Sequence, residues 1–217
     1  MLNKSVCNGI KLKAVIRDEG TTGVASAVNI GYNISPQDQD LTTGIPLTIS
    51  SKRARFFLGF FMHLRADDDK RFMMVTESMA ILALDAELSK ELLHYDYERN
   101  KPAQGKGYPE AHLQVCATSD HWDAAGQRVT GDELALSKMH LPVGPREGRR
   151  FRPSLEDVIE FLVVEDLVEA RPKWQDALNA TRSPFQELQL KAAVRRNQEL
   201  AKAALEEDGW TITREPL

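Results

Sequence analysis

Residues 55–64 read RFFLGFFMHL, with four phenylalanines in ten positions and no regular alternation of apolar and polar side chains. A strand with one wet face alternates, so this run fits a strand covered on both faces at the centre of a packed sheet. The cluster Ala66-Asp67-Asp68-Asp69-Lys70 ends it, because three adjacent carboxylates need solvent. Residues 71–84 follow at the length of a hairpin partner, although 76–84 also satisfy a helical period. Residues 91–99 (ELLHYDYER) and 110–117 (EAHLQVCA) read as two further strands. Between them, residues 101–108 carry Pro102, Gly105 and Gly107 and read as a loop.

Upstream, residues 1–50 are rich in Gly, Thr, Ser and Asn, with short β-type runs at 27–34 and 45–49. They predict loops and edge strands. Downstream, the polar stretch 120–133, with Gly126 and Gly131, predicts an exposed excursion. The last third is helical. Ser154 and Asp157 have capping-box spacing, and Leu155, Val158, Ile159, Leu162, Val163 and Leu167 then form one apolar stripe that Pro172 closes. A second helix is expected from Pro184 to about Asp208, with Phe185, Leu188, Val194 and Leu200 as a thin stripe. Strands first and helices afterwards predict an α+β fold, an antiparallel sheet with one packed helix and a C-terminal peripheral helix. The division expected is one α+β domain over 1–170 and a helical appendage over 171–217.

Composition narrows the function. The 217 residues are 42% hydrophobic and 28% charged, which excludes wholesale disorder. A net charge of −4 gives no bulk attraction for nucleic acid. The longest apolar run, 56–62, is far short of a membrane span, and the first twenty residues lack the apolar core of a signal peptide. Cys7 and Cys116 are too few for a disulfide framework. A cytoplasmic protein with no membrane partner is the expectation. Phosphate-cradling glycine loops, HExxH and GxSxG are missing from the sequence, and no cofactor is expected.

What remains is a concentration of polar residues between 94 and 152. In a strand His94, Asp96 and Glu98 share one face, and Tyr95 and Tyr97 the other. Glu110, His112 and Gln114 share a face of the next strand, and His140 fits a strand beside it. His94, Asp96 and His112 are one candidate ligand set for a divalent metal, since imidazole and carboxylate both suit zinc or iron. The same residues fit a solvated sheet face. Arg146, Arg149, Arg150 and Arg152, opposed only by Glu147, precede the helix that starts at Ser154. A helix N-terminus and paired guanidinium donors favour phosphate, although these arginines also fit a loop paired with Glu156, Asp157 or Glu160. With His112, His140 and Tyr95 as catalytic candidates the set fits metal-free ribonuclease chemistry. One imidazole would take the 2′-hydroxyl proton, another or a tyrosine would protonate the leaving oxygen, and arginine would steady the phosphorane.

The order HYDYER at 94–99, YPEAHLQV at 108–115, HLPVG at 140–144 and RFRPSLEDVIEFL at 150–162 resembles uncharacterised bacterial and phage-borne proteins. More distantly it resembles the small TumE-like toxins of toxin–antitoxin pairs. The resemblance covers roughly residues 90–165 and implies a compact α+β fold in a mobile-element, defence or toxin–antitoxin-like locus. Two functions stand side by side. One is a module that binds a protein or nucleic acid, with a partner or a second copy on the 184–208 helix. The other is a metal-independent endoribonuclease toxin that uses His112 and His140.

Overall fold

The computed structural model describes residues 1–18, 27–50, 52–67, 70, 72–99, 111–117, 120–132, 134, 139–141 and 153–213. The phenylalanine-rich run forms β4 (Phe57–Ala66), and its neighbours are β1 (Leu12–Asp18), β2 (Ala27–Tyr32), β3 (Ile45–Pro46), β5 (Met73–Ala83), β6 (Glu91–Glu98) and β7 (Ala111–Val115). They make an antiparallel sheet in the order β1-β2-β4-β5-β6-β7, with β3 also paired to β4. β5 pairs with β4 from Phe57↔Ala83 to Ala66↔Met73, so the stretch that also satisfied a helical period is strand. The connection expected at 101–108 lies outside the described residues.

Alternation sets the core. Leu58 and Phe60 of β4, Ala80 and Leu82 of β5, and Leu93 and Tyr95 of β6 lie on one face and are buried. α2 (Leu155–Val164) closes this face through Val158, Ile159, Phe161 and Leu162. Its start is the expected capping box: the Ser154 hydroxyl accepts from the Asp157 amide at 3.3 Å, and the Asp157 carboxylate accepts from the Ser154 amide at 2.7 Å. The helix stops at Val164, well before Pro172, where Asp166 takes a left-handed conformation (φ 58°).

Three segments differ from expectation. Residues 1–10 supply Leu2, Val6, Cys7 and Ile10 to the core, around a 3-10 turn at Leu2–Lys4. The 120–133 excursion contains α1 (His121–Ala125), whose Trp122 and Ala125 are buried; the Trp122 indole donates to the Cys116 carbonyl at 2.9 Å. The peripheral helix begins at Trp174, not at Pro184. α3 (Trp174–Arg196) carries Pro184 in its interior and seats a fully buried Leu178 in the core. A break at Asn197 separates it from α4 (Gln198–Glu207). Among the described residues no helix is long and apolar enough to cross a membrane.

The sheet's other face is covered too. The 84–90 turn folds over it, held by a bond from the Gly44 amide to the Ala86 carbonyl at 2.7 Å. Its Leu88 lies against Gly59 of β4. A Cβ at Gly59 would stand 2.7 Å from Leu88 Cδ1 and 3.2 Å from Ile81 Cβ. The second contact is with a strand Cβ and cannot swing aside. Gly59→Ala is therefore expected to cost about 1–3 kcal/mol by overpacking. Urea unfolding should show a lower midpoint with an unchanged m-value.

Candidate functional site

β6 and β7 pair with Asp96 opposite His112 and His94 opposite Gln114, so His94, Asp96 and His112 stand together on the face away from α2. The His112 Nε2 to Asp96 Oδ2 distance is 3.9 Å. The imidazoles of His94 and His112 meet edge to face, with centroids 5.9 Å apart and planes at 74°. His94 Nδ1 lies 2.6 Å from Glu91 Oε1. Each ring thus has a carboxylate beside it, and the Glu91 contact, at hydrogen-bond distance, orients the His94 ring.

Glu91 joins this face because of a register irregularity. Leu82 faces Leu93 but Ala83 faces Glu91, so β6 holds one extra residue, Leu92. Leu92 and Leu93 are both buried, and parity beyond them is reversed. Without the irregularity Glu91 would point to the core. Cys116 Sγ lies 3.8 Å from Glu91 Oε1, and His121 Nδ1 lies 3.4 Å from the Glu91 carbonyl oxygen. Burial, followed by the Glu91 charge and hydrogen bond, pushes the Cys116 thiol up, which suppresses the nucleophilic thiolate. Glu91, Cys116 and His121 were not among the candidate site residues read from the sequence.

Of the three catalytic candidates, His112 lies on this face and Tyr95 and His140 do not. Tyr95 points into the core, opposite Ala80 and Leu113, and burial raises its phenol far above the ordinary value. Its hydroxyl has no hydrogen-bond partner among the described residues. His140 is not in a strand. Its amide and Nδ1 both contact Glu165 Oε1, at 2.9 and 3.0 Å, just beyond the last residue of α2, while its side chain is 93% exposed. α2 packs on the Tyr95 face of the sheet, so His112 and His140 are on opposite sides of it. Arg146, Arg149, Arg150 and Arg152 lie outside the described residues. His94, Asp96 and His112 are close, but among the described residues no group of three His, Cys, Asp or Glu side chains converges to hold a metal ion.

No protein-family model, no curated protein and no solved structure matches this chain.

Glu165 is the most heavily bonded carboxylate of this region. Arg128 Nη1 and Nη2 both lie 3.1 Å from its Oε2, opposite the His140 contacts on Oε1. Burial pushes its carboxyl up, but the His140 bonds and then Arg128 outweigh burial and hold it below the ordinary carboxylate range. A carboxyl depressed in the folded state contributes stability above its unfolded value and loses it as pH falls through the folded one. Glu165→Gln should lower stability at neutral pH and flatten its decline under acid. Urea midpoints measured from pH 7 downward read both effects.

Proposed function

We propose that this chain is a protein-binding module whose contact surface is the C-terminal arm, α3 beyond Ser183 together with α4. One observation carries the reading. Ten large hydrophobic side chains are exposed among the described residues; five of them, Leu188, Leu190, Val194, Leu200 and Leu205, fall in this arm, and a sixth, Trp210, follows three residues after α4. Scattered exposed apolar residues are ordinary, but a concentration of them marks an interaction surface. The locus implied by the sequence resemblance, mobile-element, defence or toxin–antitoxin-like, is one in which such a module would meet a partner. Affinity purification from the native host, with wild type beside a Leu190→Glu/Trp210→Glu variant, tests it. The wild type should retain a stoichiometric polypeptide, its own copies or another chain, that the folded variant loses. Equal retention by both overturns the reading.

The ribonuclease reading has one specific support, with His94 in the place assigned to His140. His94 and His112 are two imidazoles on one face, each beside a carboxylate, a pairing that suits proton removal by one ring and donation by the other. Induced expression in a bacterial host separates the two. The binding module should leave growth and total RNA intact. Growth arrest with RNA cleavage, relieved by both His94→Ala and His112→Ala, would establish the ribonuclease instead.

A further inference from the structure

The arm's charges are unevenly distributed along its length, with a basic cluster, an acidic cluster beyond it, and Glu187, Glu199 and Lys202 interspersed. Lys191, Arg195 and Arg196 close α3, whereas Glu206, Glu207 and Asp208 close α4, and all six are exposed. The basic group is centred near residue 195 and the acidic group at 207. Midway between them are Leu200, 72% exposed, and the small residues Ala201, Ala203 and Ala204. Within one chain these charges are only lightly engaged. Lys191 reaches Glu187 at 3.5 Å, Lys202 reaches Glu206 at 3.8 Å, and the Arg195 guanidinium lies 6.0 Å from the Phe72 ring centroid. Exposed pairs of this kind contribute little.

We propose that the occupant of this surface is a second copy of the same chain, with the two α4 helices antiparallel about a two-fold axis near Leu200 and Ala201. The inference rests on the protein-binding reading of the arm and names its partner. A two-fold arrangement brings the same patch of each copy together, so a patch that is basic at one end and acidic at the other complements itself only when antiparallel. Each copy's Arg195 and Arg196 then face the other's Glu206, Glu207 and Asp208, and the helix dipoles oppose favourably. Leu200 meets its counterpart at the axis, where alanines let the backbones approach. Parallel pairing would set like charges side by side at both ends. An unrelated partner would have to bring this bipolar pattern itself, whereas a second copy already carries it.

Light scattering on the full-length chain at micromolar concentration should give twice the 24.4 kDa chain mass, falling towards one chain mass as salt rises. Leu200→Glu should give the single-chain mass. Arg195→Glu with Arg196→Glu should weaken the dimer about tenfold or more. Adding Glu206→Arg and Glu207→Arg to that chain should restore it, with circular dichroism confirming that each variant is folded. A wild-type monomer, a dimer indifferent to the first reversal, or one not restored by the second overturns the proposal. A monomer that still retains another polypeptide through the arm overturns self-association alone; one that retains nothing overturns the binding reading as well.

Discussion

β4 must be covered on both faces and hydrogen-bonded along both edges, and the other elements are arranged to meet that demand. β2 and β3 share one edge and β5 takes the other. Towards the helices, Leu58 and Phe60 belong to the same buried core as Val158, Ile159, Phe161 and Leu162 of α2. Away from them, the absence of a side chain at Gly59 lets Leu88 reach the strand, and Ile34 lies close over Gly31 of β2. His63, the one strongly polar side chain within the buried length of β4, is satisfied in place. Its Nδ1 lies 2.5 Å from Asn29 Oδ1, and Asn29 donates to Gln39 Oε1 at 2.7 Å. Burial, opposed by Glu77 and reinforced by Arg17 and Arg65, holds His63 below its ordinary value and so favours the neutral ring. A polar chain through the cover of an apolar strand fixes which loop lies there.

The same alternation decides what the sheet separates. Side chains one residue apart on β6 go to different compartments, Tyr95 among apolar groups under α2 and Asp96 beside His112. Chemistry that needs a phenol and both histidines together is incompatible with that parity. A pair of carboxylate-backed imidazoles is compatible with it, and the irregularity at Leu92 completes the pair by turning Glu91 outward.

Much of this was legible in the sequence because it depends on short-range patterns. The apolar run of β4, the strands around His94 and His112, and the Ser154–Asp157 capping box all follow from residue type and spacing. The shared face of His94, Asp96 and His112 follows from period two once the strands pair through Asp96 and His112. What failed depends on distant partners. His140 is positioned by Glu165, and the 120–133 excursion is tied to the same carboxylate through Arg128. Residues 1–10 have no period, yet the Arg171 amide bonds to the Ser5 carbonyl at 2.8 Å and holds them against the core. Pro184 pointed to a helix start because proline suits the first turn. α3 instead begins at Trp174, where Leu178 seats in the core and Arg182 pairs with Glu160 and Asp157, contacts that offset the cost of Pro184 within the helix.

The seat of α3 explains how a largely exposed helix stays attached. Its first turns are anchored by Leu178 and by Arg182, whose Nη2 meets Glu160 at 2.7 Å and whose Nε lies 3.3 Å from Asp157. Asp157 is also the carboxylate of the α2 capping box, so one side chain serves the start of the core helix and the root of the arm. Beyond Arg182 the Arg195 guanidinium approaches the Phe72 ring, 6.0 Å from its centroid. A ten-residue helix with none of its residues buried, as α4 is, has little intrinsic stability in water. The proposed pairing would supply the burial that α4 lacks within one chain. The root at Asp157 and Arg182 would keep the ordering cost of the proposed self-association low, because the base of α3 is already tied to α2.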